Sequence, residues 1–485
     1  MNSGKTTQKY RIALVNPGKG YYPPLGLAYI ASYLRTYSDL PCEIRIFDKS
    51  CDPKLVQSVI EFKPRVMGMT VLSSDIFEAF CISREIRALD EGVLQIIGGM
   101  HVNTLPEQTL RKSHFDIAVL GEGEETFLEI VKNHYGNGLS GDDLEKIKGI
   151  AYLKDGQFNK TEPRPLIRPL DKIPLPARDL LNMKFYNSYY HLVRGLSGNK
   201  LASMVGSRGC PYDCIFCSSK TIFKSVRRFS SGYMVSEVRE LVERYGVKRI
   251  FLMDDTFVVE ANHVKNFCEL MIAERLNKKV RWEVQGRSNL IKWDKLELLK
   301  LMKKAGCYQI DYGFESGCPR VLRILKSGPI SIGDHERAME VTRKAGLKVM
   351  GTFILGTPGE TETEMMETVS FIERNLKRLD FFDTFIAEPF PGTRLWDICA
   401  EKKIVHPDYL TQRENERKRK QVVYTDNVEA STVYGLLRRL DRIAFRKIAL
   451  SNKVAWFFYN LTHHFSKTIS SVRSFISPSN IPGRE

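Results

Sequence analysis

Three cysteines stand at C-x-x-x-C-x-x-C spacing in the stretch SRGCPYDCIFCSSK: Cys210, Cys214 and Cys217. Thiolates this close in sequence point to a soft metal site. A structural zinc site would show a second cysteine pair, or histidines at fixed spacing, and a ferredoxin-type cluster would bring a fourth thiolate in its own motif. Neither follows here, because the remaining cysteines are single and scattered. Three thiolates suit a cubane [4Fe–4S] cluster in which one iron keeps no protein ligand, and the amine and carboxylate of an amino acid can chelate that iron. Chance clustering of three buried cysteines is the bland alternative. Gly209, Pro211 and the aromatic neighbours argue against it.

The trio must be held by something, and the surrounding chain supplies strands. The apolar run Leu201–Val205 leads directly into it. Further strand candidates are Arg249–Met253, Val280–Gln285, Gln309–Phe314, Val349–Leu355 and Thr384–Glu388, with amphipathic helical segments between them. About six such units suit a partial barrel rather than a closed eightfold one, and barrel chemistry sits at the carboxyl ends of the strands. Those ends carry Asp254 and Asp255 in FLMDDTF, Glu315 and Ser316 in DYGFESG, and Gly356 within GTFILGTPGET. Asp255 could accept hydrogen bonds from a nucleoside; it also reads as a helix N-cap.

The first ~135 residues alternate short apolar strands with amphipathic helices, which is the signature of a doubly wound parallel sheet. Such sheets bind ligands beyond the carboxyl ends of their strands. There the sequence places Asn16, Asp48, Thr70, Ser73, Ser74, Gly98, Gly99, His101, Gly121 and Glu122. No G-x-G-x-x-G opens the first helix, so a nicotinamide-binding domain is not expected. From about residue 140 the rhythm breaks, and Glu162–Leu181 carries five prolines, as an extended connector would.

Composition narrows the class. The chain has 485 residues, enough for two or three domains, and no apolar run approaches the roughly 18 residues of a membrane span. The polar start lacks a secretory h-region and the ten cysteines do not form a disulfide framework, so a reducing, cytoplasmic location is expected. The net charge of +16 comes from basic residues spread along the chain, and no nucleic-acid motif accompanies them; nucleic acid is not expected as a partner. Val433, Leu436, Leu437, Leu440, Ile443, Ala444 and Ile448 recur at helical spacing opposite several arginines. This basic amphipathic helix, followed by the aromatic VAWFFYNLTHHF (454–465), could pack on the barrel or lie on an anionic membrane surface.

With Phe216 before the third cysteine, the motif reads C-x-x-x-C-x-aromatic-C, and the sequence resembles the radical S-adenosylmethionine superfamily, whose hallmark stands at this place in a partial (β/α)6 barrel. EPFPGT (388–393) resembles that superfamily's segment after the sixth strand. The resemblance implies that Cys210, Cys214 and Cys217 ligate a [4Fe–4S] cluster and that S-adenosylmethionine is the fourth ligand, contacted by Phe216, Asp255, Glu315, Ser316 and Gly356. The reduced cluster would then release methionine and a 5′-deoxyadenosyl radical able to take hydrogen from an unactivated carbon. PPLGLAYIASYLR (23–35), IIGGMHVNTLPE (96–107) and DIAVLGEGEETFLEIV (116–131) resemble the cobalamin-binding domain that precedes many such barrels, including those of hopanoid methylases and the anaerobic magnesium-protoporphyrin ester cyclase. That likeness implies cobalamin contacts at Asn16, Thr70, Ser73, Ser74, Gly98, Gly99, His101, Gly121 and Glu122. The D-x-H-x-x-G motif of wider cobalamin proteins is absent, since Asp48 is followed by Lys49, Ser50 and Cys51.

The expected organisation is an α/β chain: a Rossmann-like cobalamin-binding domain (1–140), a proline-rich linker (141–195), a radical S-adenosylmethionine barrel (196–410) and a basic helical C-terminal extension (411–485). The expected activity is cobalamin-dependent methylation of an unactivated carbon in a small-molecule or lipid substrate, with a ferredoxin or flavodoxin as electron donor and peripheral membrane contact open through the C-terminal helix. A radical cyclisation, rearrangement or dehydration without methyl transfer is the first alternative. A non-catalytic iron–sulfur or nucleic-acid-binding protein is the second.

Overall fold

The computed structural model describes residues 9–20, 22–188, 200–223, 225–417 and 422–451. The first sheet comprises β1 (Tyr10–Asn16), β2 (Cys42–Asp48), β3 (Val66–Thr70), β4 (Leu94–Gly98), β5 (Ile117–Val119), β6 (Ile150–Lys154) and β7 (Gln157–Lys160), in the order β2-β1-β3-β4-β5-β6-β7. The first five strands are parallel. β1 and β3 are apolar on both faces because helices cover each side, and two separate cores form there. The chain order reverses between β1 and β3, which opens a crevice at their carboxyl ends.

One sequence expectation is corrected here. The segment 141–195, read as a connector, begins with a helix (Gly141–Lys146) and then β6 and β7, which extend the first sheet antiparallel. The signal was short: two strands of five and four residues around the turn Asp155-Gly156. Only the proline-rich part beyond them runs without a strand.

The second sheet is built from β8 (Leu201–Met204), β11 (Arg249–Leu252), β12 (Arg281–Gly286), β13 (Cys307–Glu315), β14 (Lys348–Leu355) and β15 (Phe381–Ile386), all parallel and adjacent in chain order. Between β8 and β11, a two-residue antiparallel ladder joins β9 (Ser207–Arg208) to β10 (Arg227–Arg228) and closes the loop that carries the cysteines. The last strand begins three residues and ends two residues earlier than Thr384–Glu388, because Pro389 and Pro391 make the following residues a turn and leave FFDTFI as the apolar run.

The two sheets share packing. Leu25 and Tyr29, from the helix Leu25–Tyr37, enter the barrel core beside Phe229 and Met234. The helix Ala430–Ser451 buries Val433, Leu440 and Ala444 in that same core, next to β15 and the helix Glu362–Arg374. Arg439 pairs with Glu373 at 2.7 Å along this seam. The apolar face that the sequence left open to a membrane is therefore covered by the barrel, and only Arg438, Arg442 and Arg446 form an exposed stripe. Residues 454–465 lie outside the described residues. Among the described residues, no helix is long and apolar enough to cross a membrane.

Leu440→Ala should lower the melting temperature, with a loss of about 2–4 kcal/mol for a buried leucine, whereas Arg442→Ala should change stability by less than about 0.5 kcal/mol. Thermal denaturation of the two variants checks this; equal melting temperatures would contradict the packed helix.

Candidate functional site

The cysteine loop begins where β8 ends. Asp254, 1 % exposed, accepts hydrogen bonds from the Gly206 N–H and the Ser207 hydroxyl, both at 2.6 Å, and so ties the end of β11 to the start of the loop. Burial pushes its carboxyl up to about 6. Gly209 turns the chain toward Cys210 at φ +89°, and a Cβ there would stand 2.7 Å from the Ser225 carbonyl oxygen. Only glycine fits that turn without displacing β10.

Cys210, Cys214 and Cys217 line one cavity of about 270 Å³ at the barrel mouth. Its wall is made by the strands and the turns after them: Asp255 after β11, Gln285 and Arg287 at the end of β12, Asp311 and Glu315 on β13, and Thr352 on β14. Arg287, 4 % exposed, lies 3.9 Å over the Tyr212 ring and donates to Cys214 Sγ at 3.3 Å. Glu315 holds φ +64°, a left-handed conformation that a non-glycine residue enters at a cost, and pairs with Lys326 at 2.9 Å. Both side chains are nearly buried, so the pair is fixed at the wall.

A second cavity, of about 350 Å³, lies between the strand ends of the first sheet and the barrel mouth. Thr70, Gly98, Gly99, Gly121 and Glu122 line it from one side, and Arg208, Met253 and Asp255 from the other. A Cβ at Gly121 would meet nothing within 4 Å, so a side chain there would extend into open space. Asp255 lines both cavities, and its carboxylate is steadied by the Ser219 hydroxyl at 2.6 Å.

An ion cluster sets the spacing between the two halves. Arg208 bonds Glu122 at 2.5 Å and Glu124 at 2.6 Å; Arg227 bonds Glu122 at 2.7 and 2.9 Å. The Ile167 N–H completes Glu122 at 2.9 Å, and Arg227 donates to the Ile167 carbonyl at 2.8 Å. Burial by itself would raise the Glu122 carboxyl, but the Arg227 hydrogen bonds and the Arg208 charge outweigh it and hold the pKa below the usual carboxylate range.

Residues 204–372 match the model of the radical SAM superfamily, and residues 11–131 that of the B12 binding domain. An uncharacterised methyltransferase of Pyrococcus horikoshii is 33 % identical over 386 residues, covering 79 % of this chain and 80 % of that one. This chain is a radical S-adenosylmethionine protein with a B12 binding domain. The radical S-adenosylmethionine protein is also 28 % identical over 470 residues to the cytidylyl-2-hydroxyethylphosphonate methyltransferase of Streptomyces wedmorensis, covering 83 % of this chain and 84 % of that one. In fold it is similar to the radical S-adenosylmethionine methyltransferase TsrM of Kitasatospora setae, solved with cobalamin and a [4Fe–4S] cluster, at TM-score 0.66 and 19 % identity over 81 % of this chain and 75 % of that one.

The donor set of the first cavity fits a cluster. Among the described residues no three His, Cys, Asp or Glu side chains converge on a point for one metal ion. Three thiolates that each serve a different iron of a cubane need no such convergence. The second cavity fits a large, partly apolar ligand, since backbone at glycines meets Leu14, Ile96 and Phe127 around it.

Of the residues that the resemblance gives to S-adenosylmethionine, Phe216, Asp255 and Glu315 line the cysteine cavity, whereas Ser316 and Gly356 do not. The Ser316 hydroxyl is buried against Thr368 at 3.0 Å and accepts from the Cys318 N–H, so it fixes the turn before the helix Pro319–Leu325. Gly356 faces Val433 of the C-terminal helix. In the first domain, Asn16, Ser73, Ser74 and His101 lie off the cavity lining. Asn16 binds Asp48 at 3.1 Å, and Asp48 also holds the Ser50 N–H and the Tyr186 hydroxyl. His101 is 1 % exposed, shares a hydrogen bond with Ser73 at 3.0 Å and lies against Tyr409; burial pushes its pKa down to about 4, so the ring is neutral. Glu122 does line the cavity, with its carboxylate engaged by arginines.

Sequence reasoning missed Arg208, Arg227, Arg287 and Lys326. Arg287 follows a strand, QGR at the end of β12, and a wider search of strand ends would have found it. Lys326 ends a helix and carries no local signal.

Glu122→Gln should lower the unfolding midpoint by an amount equivalent to about 3 kcal/mol, because two buried guanidinium groups lose their shared carboxylate. The sign with pH follows from the depressed carboxyl: its stabilisation is complete above the unfolded glutamate pKa of about 4.3 and is lost as pH falls through the lower folded value. Acid titration of stability should show this loss in the parent chain and not in Glu122→Gln.

Proposed function

We propose that this chain is a cobalamin-dependent radical S-adenosylmethionine methyltransferase acting on an unactivated carbon of a small molecule. The observation that carries the reading is the meeting of two cavities at Asp255, one lined by three cysteines and the other by the glycine-rich strand ends of the B12 binding domain. When bound, the cluster and S-adenosylmethionine would supply a 5′-deoxyadenosyl radical, and methylcobalamin the methyl group. Methyltransferases are among the proteins similar over most of this chain, which supports the same reading.

The chain's own residues would then have separable tasks. Cys210, Cys214 and Cys217 would ligate three irons, with Arg287 donating a hydrogen bond to the Cys214 sulfur. Lys326 and Glu315 present a cation and a carboxylate on one wall, the two charges that can orient an amino acid's carboxylate and ammonium. Phe216 offers an apolar face, and Asp255 an acceptor for a sugar hydroxyl or amino group. Gly98, Gly99 and Gly121 would let backbone approach the corrin. Arg208 and Arg227, by gripping Glu122, hold the methyl-donor side over the radical side and limit water between them. The electron would come from a ferredoxin or flavodoxin in the reducing cytoplasm. A peripheral contact with an anionic membrane would fall to the exposed stripe of Arg438, Arg442 and Arg446.

Anaerobic reconstitution with cluster, cobalamin and S-adenosylmethionine tests the reading. The parent chain should form 5′-deoxyadenosine; Cys214→Ala should lose the cluster's absorption and drop this product to background. Omitting cobalamin should leave reductive cleavage running and stop methyl transfer. Product formation that is independent of cobalamin would favour cyclisation or rearrangement instead.

A further inference from the structure

The outer side of the cysteine loop carries a surface that the reaction itself does not use. Cys214 and Cys217 line the inner cavity and also a separate hollow of about 190 Å³, shared with Lys220 and Arg394. Next to it lies a wider depression of about 440 Å³ lined by Arg323 and, again, Arg394. The two hollows have Asp213, Ile215 and Arg394 in common and form one continuous dish over the loop. Cys217, Arg323 and Arg394 are exposed within it.

The dish is rigid where it meets the cysteines. The Ile215 N–H donates to the Leu325 carbonyl at 3.1 Å, and the Leu395 N–H donates to the Ile215 carbonyl at 2.8 Å. The Asp213 N–H donates to the Ser327 hydroxyl at 2.7 Å. Arg323 and Arg394 thus sit within two residues of backbone bonds to the loop between Cys214 and Cys217. Arg394 also opens the helix Arg394–Glu401, with Asp397 in its first turn. Among the described residues that line the dish, Asp213 is the one acidic group; it is 77 % exposed and reaches Lys220 only at 3.8 Å, so it cancels little. By contrast Arg320, one helical turn from Arg323, is neutralised by Glu364.

We propose that this dish is the docking surface for an acidic one-electron carrier protein, which delivers its electron through the Cys214–Cys217 wall. The inference rests on the functional reading above, since only a cluster behind that wall would need an electron. In the step, the carrier is oxidised by one electron and the cluster reduced by one, from the 2+ to the 1+ state; no bond forms or breaks and no proton moves. Electron-transfer encounters bury little surface and depend on charge complementarity for their rate, which suits a small basic dish ringed by Lys220, Arg323 and Arg394.

The test uses the full reconstituted chain, a charge-reversed variant, Arg323→Glu with Arg394→Glu, and a charge-matched control, Arg438→Glu with Arg442→Glu on the C-terminal helix. S-adenosylmethionine cleavage is driven either by reduced flavodoxin or by dithionite, which is small enough to need no docking. At low salt the flavodoxin-driven rate should fall about tenfold or more in the dish variant only, the dithionite-driven rate should hold in all three proteins, and about 0.5 M salt should bring the parent down toward the variant. Calorimetric Kd values for oxidised flavodoxin should weaken about tenfold in the dish variant alone. The proposal is overturned if flavodoxin binds and drives all three proteins equally, if the control loses as much as the dish variant, or if both reductants lose equally. The binding arm decides the docking surface independently of turnover; a parent chain that binds flavodoxin at the dish but cleaves nothing with dithionite would instead overturn the catalytic reading.

Discussion

Two guanidinium groups of the barrel close on two carboxylates of the first domain, and the geometry of the barrel mouth depends on that contact. Arg208 lies two residues before Cys210, and Glu122 and Glu124 begin the helix that follows β5. A shift at this contact would therefore be felt at both cavities. The four side chains are nearly buried, and a buried charge is tolerated only when its partners are in place. The cluster thus restricts the relative placement of the two halves more sharply than the apolar packing of Leu25 and Tyr29 beneath it, which resists separation but is less particular about register.

Charges of both signs line the site. Arg287 touches the Cys214 sulfur and Lys326 pairs with Glu315, while Asp255 and Asp311 also line the inner cavity. Beyond the loop, Arg323, Arg394 and Lys220 line the two hollows. An electron-rich cluster beside these basic groups would be stabilised in its reduced state.

Much of the architecture was legible from residue order. The strand–helix alternation marked both sheets, because strands buried on both faces must read as short apolar runs. It failed at β6 and β7, whose five and four residues carry little pattern and whose pairing is with a strand already placed. At β15 it slipped because Glu388 precedes a proline in a turn that reads as extended. The basic helix Ala430–Ser451 showed its apolar face plainly, but a periodic face does not name what covers it; the barrel core does.

The chemistry of the cysteine loop is local, and the sequence by itself determined it: three thiols within eight residues, with a glycine turn before them, have few other uses. The strand-end glycines at 98, 99 and 121 are local in the same sense. What joins distant segments was decided only by the tertiary structure. Arg208 meets Glu122 across 86 positions, Arg287 meets Cys214 across 73, and Asp255 comes to border two cavities at once. Residue types reveal what a side chain can do, whereas its partner is chosen by the burial of the whole chain. That is why Glu122, read as a ligand contact from its place at a strand end, serves chiefly as the anchor between the halves.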